Sequence, residues 1–117
     1  SDPQTAALML QAMAMLNEPD YELITLLCDA CVRTDSKVFD SRSIAHIAWS
    51  VAALSIQQAD IHVWIRESLP FHVGVMDRNS LTQAHQYLLH TALERSPFGE
   101  ARSVWAFLGR SRPQEGG

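Results

Sequence analysis

The stretch Asp40-Ser-Arg-Ser-Ile-Ala-His-Ile-Ala-Trp-Ser-Val-Ala-Ala-Leu54 predicts an amphipathic α-helix with an acidic residue at its start. Ile44, Ile47 and Val51 recur at the three- or four-residue spacing of one helix face. Asp40 precedes the first turn, where a carboxylate accepts hydrogen bonds from unpaired backbone N–H groups and interacts well with the helix dipole. The segment therefore predicts a helix that begins directly after residue 40.

Two other stretches, residues 2–16 and 77–91, have the same design. Each opens with an aspartate, Asp2 or Asp77, and a hydroxyl residue follows three positions later in all three stretches. The three aspartates are 38 and 37 positions apart. A period of that length is typical of solenoids built from helix pairs. We name these three predicted helices the B helices.

The segments between the B helices predict a second set, the A helices. The first can start at Pro19 and run to about Arg33, and the second should end before Pro70, because proline disfavours helical geometry in the preceding residue. The predicted fold class is thus all-α, a short α-solenoid of helix–turn–helix repeats with a period of about 37–38 residues. The expected helical-repeat domain, residues 1–109, comprises a B helix at 3–17, repeats at 19–57 and 59–95 and an extra helix at 99–109, followed by a polar tail at 110–117.

The composition argues against independent, non-specific binding of nucleic acid. The chain of 117 residues carries nine Lys and Arg against thirteen Asp and Glu, a formal charge of −4, whereas such binding depends mainly on neutralising phosphates. A local basic face remains open, with the C-terminal arginines as its best source. The longest mostly apolar stretch, residues 44–56, is too short to cross a bilayer, so we expect no membrane insertion.

No motif for catalysis or for a cofactor is present. The chain lacks a Gly-rich phosphate loop, a nucleophile elbow and an HExxH sequence, so we expect no enzyme activity, no cofactor, no bound metal and no small-molecule substrate. Cys28 and Cys31 have the spacing of half a zinc site or of a redox pair. They also share one helix face, and the expected role is that of buried core cysteines.

The segment Phe39–Leu54 resembles the second helix of the octotricopeptide repeat, through Ile44-Ala45-His46 and Trp49-Ser50-Val51-Ala52. The related heptatricopeptide repeats and the helical regions of FAST-kinase-domain and RAP-domain proteins share this pattern. The other two units depart from it, since Gln11 and Gln86 stand where the tryptophan is expected.

The resemblance implies a protein of mitochondria, or alternatively of chloroplasts, that has lost a targeting peptide and acts on organellar RNA. That RNA would be messenger or ribosomal RNA, and the setting an organellar ribosome or another ribonucleoprotein assembly. The resemblance also implies neighbouring protein subunits or repeats as partners.

An RNA ligand would meet polar side chains at equivalent positions of successive B helices. The candidate residues are Gln4, Arg42, His46, Arg78, Asn79, Gln83, Arg102 and Arg110. Arg42 and Arg78 lie in first turns, where they can hold phosphate together with helix N–H groups, or they are solvated surface residues. His46 can stack with a base or be a half-buried core neighbour, and the three tryptophans are expected to pack in the core.

The alternative function is a protein–protein scaffold in a large organellar complex with no direct RNA role. Leu8 breaks the column formed by His46 and Gln83, and the first helix is rich in methionine and leucine. Clustering of Arg42, Arg78 and the C-terminal arginines on one face would favour RNA, whereas a dominant apolar patch would favour protein.

Overall fold

The computed structural model describes the backbone of residues 3–95 and the side chains of residues 4–92, and its regular structure is entirely helical. The elements are α1 (Pro3–Leu16), α2 (Tyr21–Val32), a 3-10 helix (Ser36–Val38), α3 (Ser41–Ala53), α4 (Ala59–His72), a 3-10 helix (Val73–Val75) and α5 (Arg78–Arg95). Residues 3–95 contain no strand, which confirms the all-α class. The predicted helix at 99–109 and the tail at 110–117 lie outside the described residues.

The five helices form two layers. Helix α3 contacts α1 and α5, and α2 contacts both α1 and α4. We name α1, α3 and α5 the B layer, and α2 and α4 the A layer. Helix α4 also contacts α3, and the core lies between the layers, where Ile44, Ile47, Val51, Ile61 and Ile65 are almost completely buried.

Helices α3 and α5 begin in the same way. The Asp40 side chain accepts a hydrogen bond from the Ser43 amide (2.7 Å), and the Asp77 side chain accepts one from the Ser80 amide (2.8 Å). Each aspartate follows a buried apolar residue, and Phe39 stands five positions before the buried Ile44 in the arrangement of a hydrophobic staple. The entry into each helix is therefore fixed by one polar and one apolar contact.

Helices α1 and α3 also end in the same way. Asn17 and Ser55 adopt left-handed backbone conformations, with φ of 55° and 53°. The amide of the next residue donates to the carbonyl five positions earlier, Glu18 to Met13 (3.1 Å) and Ile56 to Val51 (3.0 Å). This bond defines the Schellman motif, and it recurs 38 residues apart although neither position is glycine.

Side chains of α4 hold the linker between α2 and α3. The indole N–H of Trp64 donates to the Thr34 carbonyl (3.1 Å), and the Trp64 ring meets Phe39 edge to face at a centroid distance of 5.3 Å. His72 donates through Nε2 to the Ser36 carbonyl (3.0 Å). The linker is too short to form a core of its own, and these three contacts with α4 hold it in place.

A second histidine joins α4 to α5. His62 is buried, and its Nε2 lies 2.7 Å from the Ile56 carbonyl while its Nδ1 lies 2.8 Å from the Tyr87 hydroxyl. A carbonyl only accepts, so Nε2 carries a proton and donates to Ile56. Both ring nitrogens thereby have a hydrogen-bond partner within the core.

Two predicted A-helix boundaries were wrong. Helix α2 begins at Tyr21 and not at Pro19, because Asp20 is its cap and accepts from the Leu23 amide (3.2 Å). Helix α4 does not stop before Pro70 but continues to His72. The missing N–H of Pro70 affects only the last turn, which is held in place by the buried Leu69 and by the bonds of His72.

Replacement of Ser55 by glycine is expected to raise the free energy of unfolding by about 0.5–1 kcal/mol. The left-handed conformation costs a residue with a Cβ atom roughly 1–2 kcal/mol, and the greater chain entropy of glycine offsets part of that gain. Urea denaturation followed by circular dichroism measures the change. Asn17→Gly is the control and should gain less, because asparagine tolerates this conformation. A lower midpoint for Ser55→Gly would contradict the assignment.

Candidate functional site

One side of α3 points away from the A layer and is the candidate site. At 100° per residue, Arg42, His46, Trp49 and Ala53 lie on this side, opposite the buried Ile44 and Val51. Arg42 and Ala53 are exposed, and His46 and Trp49 are half-buried. The side therefore presents a cation, an imidazole and an indole to solvent along about two turns of helix.

The neighbouring B helices present equivalent sides. We name the twelve positions together the outer face; they are Gln4, Leu8, Gln11 and Met15 of α1, Arg42, His46, Trp49 and Ala53 of α3, and Asn79, Gln83, Gln86 and His90 of α5. Ten of the twelve have amide, imidazole, guanidinium or indole groups or are small, and none is acidic. The other two positions carry the long apolar side chains of Leu8 and Met15, and both lie on α1.

Two side-chain contacts align the N-terminal ends of the B helices. Gln4 Nε2 donates to Asp40 Oδ2 at 3.4 Å, and Arg42 Nη2 lies 3.8 Å from Asp77 Oδ2. In each case a first-turn side chain of one B helix lies close to the capping aspartate of the next B helix. The Arg42 and Asp77 side chains are 71% and 53% exposed, and an ion pair of that exposure is worth about 0–1 kcal/mol. Arg42 can consequently exchange Asp77 for an external anion at little cost.

The two capping aspartates remain charged at the edge of the outer face. The Ser43 amide is the main reason why the pKa of Asp40 is lowered, and the Ser80 amide does the same for the pKa of Asp77. Arg42 lowers both pKa values further. The sequence identified Asp40 and Asp77 as helix caps but gave no indication that their carboxylates stand beside Gln4 and Arg42. Only the side-by-side packing of the helices shows this.

His46 is neutral at pH 7. Its pKa is lowered from the ordinary value of 6.5, first by partial burial and then by the positive charge of Arg42, while Asp40 and Asp77 act in the opposite direction. A neutral imidazole has one N–H donor and one acceptor. His46 can therefore form a hydrogen bond of either polarity as well as stack.

The structure brings together some of the predicted residues and leaves others apart. Gln4 contacts Asp40 and Arg42 contacts Asp77, His46 lies within the electrostatic influence of Arg42 and both aspartates, and Arg78 and Asn79 are exposed at the start of α5. Gln83 is half-buried on the outer face. Arg102 and Arg110 lie outside the described residues. Of the arginines whose clustering on one face would favour RNA, Arg42 and Arg78 are exposed side chains of the described part of the chain.

The tryptophans separate into two kinds. Trp64 is buried and hydrogen-bonded, as predicted for a packing residue. Trp49 was expected in the core but is half-buried on the outer face, three residues after His46. Helical spacing from Arg42 and His46 was the signal that placed it there, and the apolar residues around it in the sequence obscured that signal. Trp105 lies outside the described residues.

The cysteine pair is part of the core. Cys28 and Cys31 are buried free thiols on α2. Burial is the main reason why the pKa of Cys28 is raised to about 12 and that of Cys31 to about 11. Both thiols are therefore protonated at neutral pH, whereas the thiolate is the form that attacks or binds metal.

Two searches for other kinds of site gave negative results for the described residues. Residues 3–95 contain no group of three or more His, Cys, Asp or Glu side chains placed to hold a metal ion. None of the five helices is both long enough and apolar enough to cross a membrane. Comparison of the chain with protein-family models, with curated proteins and with solved structures finds no match in any of the three.

Arg42→Ala is expected to raise the pKa of His46, because the positive charge of Arg42 disfavours the imidazolium. Asp77→Asn should shift the pKa in the opposite direction, because the Asp77 carboxylate favours the imidazolium. Titration of the histidine ring resonances by NMR in the two variants measures both shifts. Equal or unidirectional shifts would contradict the arrangement of His46 between the two charges.

Proposed function

We propose that the chain is a non-catalytic helical-repeat module of the α-solenoid type. Three structural features support this arrangement: α3 contacts α1 on one side and α5 on the other, the entries into α3 and α5 match, and the exits from α1 and α3 match. The features recur at intervals of 37 or 38 residues, the same interval at which the sequence repeats. In such an assembly each unit buries its apolar face on its neighbours.

The ligand that we propose is single-stranded RNA, bound along the outer face. The observation that carries this proposal is the chemistry of the face: none of its twelve positions is acidic, although the formal charge of the chain is −4. Of the nine acidic side chains that the structure describes, Asp40 and Asp77 cap α3 and α5 at the edge of the outer face. The other seven lie on α2, on α4 or in the linkers around them: Glu18, Asp20, Glu22, Asp29, Asp35, Asp60 and Glu67. The negative charge is thus concentrated away from the outer face.

The groups on the outer face suit unpaired bases better than a phosphate backbone. Amides such as Gln83 and Gln86 carry both donors and acceptors, which can pair with base edges, and the indole and imidazole rings of Trp49 and His46 can stack on bases. Among the twelve positions of the face only Arg42 carries a fixed positive charge, and Arg78 is exposed in the first turn of α5 next to Asn79. Sequence-specific proteins usually recognise RNA in single strands and loops for this reason, since only there are the base edges accessible.

The cellular setting follows from the resemblance of the Asp40 unit alone. On that basis we propose a mitochondrial location, with the chloroplast as the alternative, and an RNA that is organellar messenger or ribosomal RNA. Incorporation into an organellar ribosome or another ribonucleoprotein assembly is part of the same proposal. Fractionation of the tagged protein with organelles and their ribosomes tests the location independently of RNA affinity.

A protein–protein scaffold is the second candidate, and the exposed apolar residues of the first repeat favour it. Leu8 and Met15 occupy outer-face positions that are His46 and Ala53 in α3, and Tyr21 and Leu26 of α2 are also exposed. A binding surface made only of these residues would prefer an apolar partner. An RNA ligand would depend on Arg42 of α3, whereas a protein partner would depend on Leu8 of α1. Variants of these two residues therefore distinguish the two candidates.

The purified chain is expected to bind a pool of single-stranded RNA more tightly than duplexes of the same sequences. Arg42→Ala should weaken this binding about three- to tenfold and lower the salt slope by about 0.7, the value for one phosphate contact on a single strand. Fluorescence anisotropy across a salt titration measures both quantities. Arg33→Ala removes the same charge from the A layer and serves as the matched control. Equal losses in the two variants, or no binding by the folded chain at low salt, would reject the outer face as an RNA site.

Removal of the Asp77 charge is expected to strengthen RNA binding severalfold. Asn caps a helix about as well as Asp, so Asp77→Asn keeps the hydrogen bond from the Ser80 amide and releases Arg42 from its nearest carboxylate. Asp35→Asn changes the cap of the first 3-10 helix in the same way, at a distance from the outer face. An equal gain in both variants would show a general charge effect and not a local one.

A further inference from the structure

One flank of α1 is exposed although the matching flanks of α3 and α5 are buried. Thr5, Met9, Ala12 and Leu16 lie on this flank, and Met9 and Leu16 are 37% and 69% exposed. We name it the leading flank of α1. The leading flank lies beside the outer face and shares no residue with it. Leu8 and Met15 of the outer face point about 60–100° away from the leading flank around the helix axis.

The equivalent positions of the other two B helices are covered. In α3 they are Ser43, Ile47, Ser50 and Leu54, and in α5 they are Ser80, Ala84, Tyr87 and Thr91. Seven of these eight side chains are buried and Leu54 is half-buried. Since all three helices belong to one layer, α3 and α5 have a neighbour on this side that α1 lacks among the described residues.

In α3 that neighbour is α1. The opposite flank of α1 carries Ala7 and Leu10, which are almost completely buried, and the half-buried Ala14. Helix α1 contacts α3 and has no other partner in the B layer among the described residues. The leading flank of α3 therefore packs against a flank of small and aliphatic side chains on the preceding B helix.

The leading flank of α1 has the same sequence of sizes as that of α3. Thr5 corresponds to Ser43, Met9 to Ile47, Ala12 to Ser50 and Leu16 to Leu54, so that small and large aliphatic side chains alternate in both. Close helix packing depends on such complementary ridges and grooves. A helix with the Ala7–Leu10–Ala14 pattern consequently fits the leading flank of α1 as it fits that of α3.

We propose that the leading flank of α1 is the docking surface for a further helical pair of the same repeat type, carried by a partner protein. The B helix of that pair packs on Thr5, Met9, Ala12 and Leu16 through small and aliphatic side chains spaced like Ala7, Leu10 and Ala14. The proposal rests on the repeat arrangement proposed above and is independent of RNA binding.

A second copy of this chain fits less well. Head-to-tail association would bring the trailing flank of α5 to α1, and the positions that are Ala45, Ala48 and Ala52 in α3 are Thr82, His85 and Leu89 in α5. Larger and more polar side chains at these three positions keep two helix axes further apart. The partner is therefore a different helical pair with an alanine-rich flank.

A tandem chain tests the proposal. Residues 2–39 are placed directly before residues 2–117, so that the added unit presents its Ala7–Leu10–Ala14 flank to the leading flank of the complete chain at high effective concentration. Met9→Glu is introduced in the complete copy only and compared with the same substitution in the original chain. Met15→Glu is the matched control, because Met15 is exposed and lies off the leading flank.

In the tandem chain, Met9→Glu is expected to lower the thermal midpoint by at least about 5 °C more than in the original chain, since it buries a charge at the new contact. Met15→Glu should have equal effects in both. Equal effects of Met9→Glu in both chains would overturn the proposal. Concentration-dependent dimers of the original chain that Met9→Glu disrupts and Met15→Glu spares would also overturn it, by showing that a second copy covers the flank.

The RNA experiment gives an independent outcome, because Met9 lies outside the outer face. Loss of RNA binding in Arg42→Ala with no tandem effect would reject the docking surface and leave the proposed RNA function supported. A tandem effect in a chain that binds no RNA would give the reverse result.

Discussion

The packing of α3 between two parallel neighbours is the constraint on which the other features depend. Ala45, Ala48 and Ser50 are completely buried on α3, and side chains this small allow neighbouring helices to approach closely. A longer residue at any of these positions would separate α3 from α1 or α5 and open the core beneath them. Because protein interiors are packed as densely as crystals of small organic molecules, such a change would disturb the side-chain packing of both layers.

The outer face is a consequence of that packing combined with the helix ends. Asp40 and Asp77 fix where α3 and α5 begin, and the Schellman motifs fix where α1 and α3 turn back towards the A layer. With starts and ends both fixed, successive helices lie in register, and the contacts of Gln4 with Asp40 and of Arg42 with Asp77 occur at equivalent points. The side chains of the outer face therefore lie at equivalent levels on successive B helices.

Much of this architecture could be predicted from the sequence, because its determinants are local. The aspartate caps and the apolar periodicity after Asp40 identified the B helices, and the burial of Cys28 and Cys31 followed from their shared helix face. The continuation of α4 through Pro70 could not be predicted, since it depends on the bonds of His72 to residues more than 30 positions away. The left-handed conformation at residue 55 could not be predicted either, because this residue is serine and not the glycine that usually marks such a position. The outward position of Trp49 depends on which flanks of α3 are covered, and that is decided by α1 and α5.

The segregation of charge removes one physical objection to the proposed binding of RNA by an acidic chain. Electrostatic attraction acts over about a Debye length, roughly 8–10 Å at physiological salt, so the acids of the A layer are screened from a ligand on the opposite side of the B helices. What remains at close range is a face whose only cation is Arg42 and whose other groups are neutral, with Asp40, Asp77 and Arg78 at its edge. On the proposed function, RNA binding there would depend on stacking and hydrogen bonds more than on counterion release, and groups such as Gln83 and His46 would select particular bases. A face of this kind gains little from non-specific RNA, because few phosphates are neutralised. The acidic charge of the A layer therefore favours discrimination between sequences at the expense of general affinity.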